Sequence, residues 1–334
     1  MRRLPLGTSR AWTTELSFGA AGIGNLAGVV DDGTAAAAVD AAWAGGIRTF
    51  DTAPHYGLGL SERRLGAALR DRPRPEYTVS TKVGRLLEPV AEVRGDDLAA
   101  GGFAVPASHR RVWDFTADGV RRSLESSLHR LGLDRVDIVY LHDPDDHVSP
   151  ALTEAYPALE RLRSEGMVDA IGVGMNSSAV PARFVRETDI DVVLLAGRYS
   201  LLDQSGLVDL LSEALRRGVS IVVGGAFNSG LLADPRPGAS YDYRPAPPET
   251  LARALRIGEL CAAHDVPLRA AAARFPLGHP AVASVLLGMR SPDQVTDAVD
   301  NLDRPIPAGL WAALRAEGLL GADVPVPAAG VRED

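Results

Sequence analysis

Short apolar, β-like runs recur eight times along this chain, at residues 16–22, 47–52, 77–82, 136–142, 170–175, 192–196, 220–224 and 283–288. Several are continuous rather than alternating, which is the pattern of parallel strands buried on both faces. Helix-like segments fall between them, for example 34–44, 61–70, 117–131, 150–165, 207–217 and 248–264. Eight β/α units in 334 residues predict a (β/α)8 TIM barrel. With no repeat and no low-complexity linker, 1–334 reads as a single domain. Ser61 and the pair Ser291-Pro292 read as helix starts, and Gly132 and Gly166 as helix stops. Two long connections, 84–115 and 228–248, break the rhythm. In a barrel both would rise from the C-terminal face, where active sites are built.

The formal net charge of -8 argues against a nucleic-acid partner, which would want a basic face. No apolar stretch approaches the roughly 20 residues of a membrane span. The start Met1-Arg2-Arg3 is not followed by the apolar core of a signal peptide, so a cytoplasmic location is expected. The single cysteine, Cys261, cannot form an internal disulfide and reads as a small filler.

Chemistry-bearing residues gather at the predicted strand ends. Asp51 and Tyr56 lie in Asp51-Thr52-Ala53-Pro54-His55-Tyr56-Gly57, Lys82 ends the third run, and His142 ends the fourth. Singly, each has a plain explanation: a helix cap, a core aromatic, a surface charge, a satisfied core histidine. A barrel, however, brings the ends of consecutive strands together.

In this order and context the four residues resemble the Asp/Tyr/Lys/His tetrad of the aldo-keto reductases. The resemblance extends to Ser61-Glu62, to Leu131-Gly132-Leu133-Asp134-Arg135-Val136-Asp137, and to Gly172-Val173-Gly174-Met175-Asn176. It implies nicotinamide-dependent hydride transfer. The hydride's movement at carbon must be matched by a proton moving at oxygen. Tyr56 can carry that proton if the ammonium of Lys82 lowers its pKa. Asp51 would hold Lys82 in place, and His142 would orient the substrate oxygen. The resemblance also implies a cofactor site made of Gly22, Asn176, Gly288, Arg290, Ser291, Gln294 and Asp297. The start of a helix at Ser291 suits an anion.

The segments 142–147, 195–204 and 224–230 are similar to those of bacterial L-fucose and D-threo-aldose 1-dehydrogenases. That subgroup oxidises C1 of an aldose to the lactone. Pyridoxal 4-dehydrogenase and plant L-galactose dehydrogenase are close in pattern. The chain departs from the family at two nicotinamide contacts: no glutamine ends the sixth strand, and Gly224 stands where an aromatic is usual. Gln294 replaces the arginine of many NADP-preferring members, which implies NAD in preference to NADP, although Arg290 is near enough to serve a 2′-phosphate. His55, Trp113 and Trp12 are candidate substrate contacts by position. Tyr241 and Tyr243 belong to a loop that could close over the cofactor. A small-molecule sugar, aldehyde or alcohol is the expected partner, and the family contains both monomers and homo-oligomers.

Gly22-Ile23-Gly24-Asn25-Leu26-Ala27 fits a dinucleotide-binding fingerprint, but loop residues follow it where a helix should open. The glycines there are better suited to letting backbone approach a cofactor. The run from His142 to His147 could suggest a metal site, yet no second histidine cluster accompanies it, and no metal is expected. Lys82 alone would suit a Schiff-base aldolase. A regulatory subunit that binds cofactor with little turnover is the remaining, non-enzymatic alternative.

Overall fold

Strands buried on both faces need a packed interior on one side and helices on the other. The computed structural model, which describes residues 1–328, shows how this sequence supplies both. Residues 329–334 of the expected single domain lie outside the described residues.

Eight parallel strands close a barrel in sequence order: β1 (Leu16–Gly19), β2 (Thr49–Asp51), β3 (Thr78–Val83), β4 (Ile138–His142), β5 (Ala170–Met175), β6 (Val192–Ala196), β7 (Ser220–Gly224) and β8 (Val282–Gly288). The circle closes where Leu286 of β8 pairs with Ser17 of β1. Along each strand the two-residue period sorts side chains to opposite faces. Val139 and Leu141 pack outward in the layer beneath the helices, while Ile138 and Tyr140 point inward with Ala170, Val192, Leu194 and Leu286. His142, two residues after Tyr140, continues the inward row. The same period places Lys82 on the inward face between Val79 and Val83, which belong to the outer layer.

The helices that matter for the site are α1 (Asp32–Ala44), α2 (Leu60–Leu69), α3 (Ala117–Leu131) and, after β8, a helix over Pro292–Asp303. Asp31 caps α1 by accepting from the Thr34 amide at 2.8 Å, and Thr116 caps α3 by accepting from the Gly119 amide at 3.0 Å. Gly132 ends α3 in the left-handed conformation, φ 64°. Ser61 does not cap α2. It is buried inside that helix, and its hydroxyl donates to the Ala20 carbonyl at 2.8 Å, tying α2 to the end of β1.

The opposite, N-terminal mouth is plugged by an antiparallel hairpin, Arg3–Pro5 with Trp12–Thr14. Leu6 and Ala11 of its turn enter the barrel interior. The Thr14 amide donates to the Thr49 hydroxyl at 3.0 Å and the Gly7 amide to the Ser220 hydroxyl at 2.8 Å, both at strand starts. Trp12 therefore lies at the wrong end of the barrel to touch a substrate. The Arg3 guanidinium sits 4.1 Å from its ring centroid instead.

The two long connections are ordered into hairpins. The first pairs Arg85–Pro89 with His109–Trp113, and within it Asp96–Asp97 with Phe103–Pro106. This excursion folds back over the loop after β1: the Ala27 amide donates to the Gly102 carbonyl at 2.8 Å, and the Ala104 amide to the Asn25 carbonyl at 2.9 Å. The second holds a short hairpin of Ser240–Tyr241 with Arg244–Pro245.

Helix packing yields one direct stability prediction. A Cβ at Gly66 of α2 would stand 1.9 Å from the Leu131 carbonyl oxygen at the end of α3. Helix propensity alone would make Gly66→Ala stabilising by about 1 kcal/mol. The close approach is to backbone, which cannot swing away, so a net loss of about 1–3 kcal/mol is expected. Urea unfolding decides it, and a raised midpoint would mean the two helices part without cost.

Candidate active site

At the C-terminal mouth, the ends of β2, β3 and β4 and the turn after β2 converge. Lys82 is only 1% exposed. Its Nζ donates to Asp51 Oδ2 at 2.6 Å, to the Thr52 carbonyl at 3.0 Å and to the Tyr56 hydroxyl at 3.1 Å. Three acceptors use the three donors of an ammonium. Asp51 takes a further bond at its other oxygen from the Ser80 hydroxyl at 2.7 Å. The carboxylate is thus fixed from two sides and the ammonium aimed at the phenol. Burial alone would lower the Lys82 pKa, but Asp51 and Tyr56 together raise it above its ordinary value, so the side chain stays charged.

Tyr56 behaves differently from the expectation drawn from its neighbour. Burial pushes its pKa up to about 12, against the downward pull of Lys82 and with a smaller upward push from Asp51. In the protein alone the phenol is therefore protonated at neutral pH, held as a proton donor with a cation 3.1 Å from its oxygen.

His142 stands across from Tyr56, ring centroids 6.0 Å apart at 90°. Burial, then the cations Arg85 and Lys82, hold its pKa well below the usual range, so it is neutral. Its Nδ1 is buried with no hydrogen-bond partner among the described residues. Its Nε2 lies 3.7 Å from an Asp143 carboxylate oxygen, too far for a hydrogen bond. Asp143 is instead paired with Arg85. Nε2 therefore makes no hydrogen bond to Asp143.

These residues form the floor of a cavity of about 510 Å³ whose wall includes His55, Phe103, Asn176 and Tyr243. A second cavity of about 450 Å³ adjoins it and shares Tyr56, Ala196 and Tyr243. It runs between the 224–230 segment and Gly288, and ends at Gln294, Asp297 and Arg269. A Cβ at Gly288 would meet nothing within 4 Å, and one at Gly224 only Ala196, at 3.6 Å. No protein neighbour demands a glycine at either place, so what their bareness preserves is open floor beside Tyr56. The far end is a helix start: Ser291 accepts from the Gln294 amide at 3.4 Å, and the Arg290 amide donates to Gln294 Oε1 at 3.0 Å. An elongated groove with an open floor at one end and a helix N-terminus at the other fits a dinucleotide.

Not every candidate meets the cavities. Gly22 does not line them. A Cβ there would stand 2.9 Å from the Arg290 Cβ, and one at Gly24 would stand 3.0 Å from the Tyr56 backbone. The glycines after β1 let that loop pack on its neighbours, so their close approach is to protein. Arg290 and Ser291 flank the groove's end and lie outside its wall. Trp113 is at the rim, 44% exposed, stacked on Phe115 at 5.9 Å with the Arg85 guanidinium 4.4 Å from its ring centroid. Tyr241 turns away from the cavities and donates to Asp203 at 3.3 Å. The run from 142 to 147 disperses: Asp143 meets Arg85, and His147 packs on the rings of Trp113 and Phe115. No group of side chains able to hold a metal occurs among the described residues. No helix among them is long and apolar enough to cross a membrane.

Sequence reasoning missed Arg111, Asp97 and Phe103, which the first excursion delivers beside His55, and Arg269, which pairs with Asp297 at 3.1 Å in the groove. None carries a motif.

A closed (β/α)8 barrel with a Lys–Tyr–Asp cluster at its C-terminal mouth and an adjoining groove fits the architecture of an oxidoreductase. Residues 15–316 match the Aldo/keto reductase family, and the chain belongs to that family. It is 48% identical to a D-threo-aldose 1-dehydrogenase from Pseudomonas sp, over 91% of this chain and 94% of that protein. It is 40% identical to a pyridoxal 4-dehydrogenase from Microbacterium luteolum, over 94% and 97% of the two chains. Among solved structures, the holo form of the aldo-keto reductase AKR11C1 from Bacillus halodurans superposes with a TM-score of 0.75 at 27% identity, covering 100% of this chain and 99% of that one.

Proposed function

We propose that this protein oxidises C1 of an aldose to the lactone, with NAD as the hydride acceptor and Tyr56 as the group that exchanges the proton. The observation that carries the proposal is the Lys82 ammonium shared between Asp51 and the Tyr56 hydroxyl, at 2.6 and 3.1 Å, on the floor where the two cavities meet. A nicotinamide held in the groove would supply the acceptor for the hydride leaving C1. The chain's own residues handle the oxygen. His142 donates to it and fixes its position, and Tyr56 receives the hydroxyl proton as the carbonyl forms. Lys82 stabilises the phenolate that must accept that proton, and Asp51 holds Lys82 on target. In the reverse direction the protonated Tyr56 is the general acid.

Gly288, Gln294 and Asp297 in the groove, Arg290 and Ser291 at its end, and Asn176 at the nicotinamide end are the proposed cofactor contacts. NAD is favoured over NADP for a charge reason. The cation in the groove wall, Arg269, is already engaged by Asp297 and by the Ala233 carbonyl at 3.1 Å. Asp297 itself would repel a 2′-phosphate, whereas a carboxylate suits a ribose hydroxyl.

The sugar is favoured by the 48% identity to an aldose dehydrogenase. Pyridoxal is the second reading, favoured by the 40% identity to a pyridoxal 4-dehydrogenase. The test is formation of reduced nicotinamide, followed by absorbance, with NAD or NADP and a panel of L-fucose, L-galactose, D-arabinose and pyridoxal. Reduction of NAD with a sugar, faster than that of NADP, is expected. Activity on pyridoxal alone would keep the chemistry and replace the substrate. Cofactor binding with no turnover on any of them would favour a regulatory role.

A further inference from the structure

His55 lies in the wall of the substrate cavity and forms a triangle with the His142 and Tyr56 rings, its centroid 5.8 Å from that of His142 and 6.0 Å from that of Tyr56. Behind it stands a pair from the first excursion. Arg111 donates through Nε to His55 Nδ1, and through Nη2 to the His55 carbonyl at 3.3 Å. Arg111 in turn is gripped by both oxygens of Asp97, which is 2% exposed. A guanidinium has five N–H donors and no acceptor. Its contact with Nδ1 is favourable only when Nδ1 is bare, so the hydrogen of the neutral ring sits on Nε2.

We propose that the Asp97–Arg111 pair locks His55 in the Nε2–H tautomer, and that this N–H binds a second substrate oxygen beside the one held by His142. The inference rests on the oxidoreductase reading of this cavity and adds the shape of its substrate. Two imidazole donors with centroids 5.8 Å apart suit two oxygens on the same or adjacent carbons. A cyclic hemiacetal, with its hydroxyl and ring oxygen on one carbon, has this arrangement. The ring oxygen only accepts hydrogen bonds, and His55 in this tautomer can only donate from Nε2.

The surroundings keep the ring neutral across the working range. Burial, then the charges of Arg111, Arg85 and Lys82, lower its pKa to about 3. The other titratable groups near it are His142, also lowered, Tyr56, protonated, and Asp97, whose charge Arg111 already engages. The donor is therefore present at every pH at which the protein would work.

Two measurements test this separately from the choice of sugar. The first is the long-range proton–nitrogen spectrum of the imidazole rings in the intact protein. His55 should show a bare Nδ1 and a protonated Nε2, unchanged down to pH 5. A protonated Nδ1, or an imidazolium at pH 6, overturns the lock even if every sugar is a substrate. The second is kinetic. His55→Phe keeps the ring's shape and removes the donor, and His55→Gln restores an N–H at the Nε2 position. KM for the aldose relative to KM for a simple primary alcohol, which is oxidised by the same step but lacks a second oxygen, should rise about tenfold in the Phe variant and recover in the Gln variant. An unchanged ratio in the Phe variant means that Nε2–H meets no substrate oxygen, and the proposal fails. Because Arg111→Met would strand the buried Asp97, the partner test is Asp97→Asn with Arg111→Met. His55 should then show both tautomers and titrate at a higher pH, and a ring spectrum unchanged from wild type would also overturn the lock.

Discussion

Tyr56→Phe should lower kcat by about 10²–10⁴, the range that a positioned acid or base contributes, while the dissociation constant for NAD stays close to that of the wild type. The change removes one oxygen. Lys82 keeps its bonds to Asp51 and to the Thr52 carbonyl, so the floor of the site keeps its charges and geometry. The phenyl ring still packs against Phe103, whose centroid is 6.1 Å away. Loss of turnover with unchanged cofactor binding and an unchanged melting temperature would assign the loss to proton exchange. A variant that keeps its kcat would remove Tyr56 from the chemistry altogether. As the proposed proton carrier, Tyr56 should also set a pH dependence in the wild type. With a pKa near 12 in the protein alone, Tyr56 is the acid form throughout the neutral range. Reduction, which needs that form, should be flat with pH up to the alkaline region. Oxidation, which needs the phenolate, should climb with pH over the same interval. Opposite slopes would assign the proton to another group.

The convergence of Asp51, Tyr56, Lys82 and His142 was legible because they sit where local pattern and topology coincide. The inward row of β4 runs from Ile138 through Tyr140 to His142, and the row of β3 through Ser80 to Lys82, so two-residue periodicity plus a barrel suffices to bring them together. The turn after β2 is similarly announced by its own sequence. What could not be read is what depends on burial and on long excursions. The pKa of Tyr56 moves upward because the desolvation around a packed phenol outweighs one neighbouring ammonium, and burial is a property of the assembled mouth. Arg111 reaches His55 across 56 residues, from a hairpin inside a connection that carries no periodic signal. Ser61, which has the look of a helix cap, is spent instead on the Ala20 carbonyl. Arg269 is one of 35 basic residues and nothing in its neighbours marks it as lining the groove.

Lys82→Met should abolish turnover and also weaken the fold, and the two effects can be separated. Removing one partner of a buried ion pair costs about 3–5 kcal/mol, because the other charge is left in a site built for two. Here Asp51 would retain only the Ser80 hydroxyl. A dead and unstable single variant therefore proves little about chemistry. The double variant Asp51→Asn with Lys82→Met removes both charges and should regain most of the lost stability, measured by urea unfolding. It should not regain activity, since the group that draws the Tyr56 pKa down is still missing. Lys82 lowers that pKa through its charge and its hydrogen bond, whereas Asp51 raises it. In the single variant both changes act in the same direction, so any residual oxidation should require a more alkaline pH than the wild type does. In the double variant the removal of Asp51 offsets part of the rise, and its residual profile should lie between the two. Recovery of oxidation at neutral pH together with stability would mean that the Lys82–Asp51 pair only holds the barrel mouth together, and that the proton leaves Tyr56 without help from a neighbouring charge.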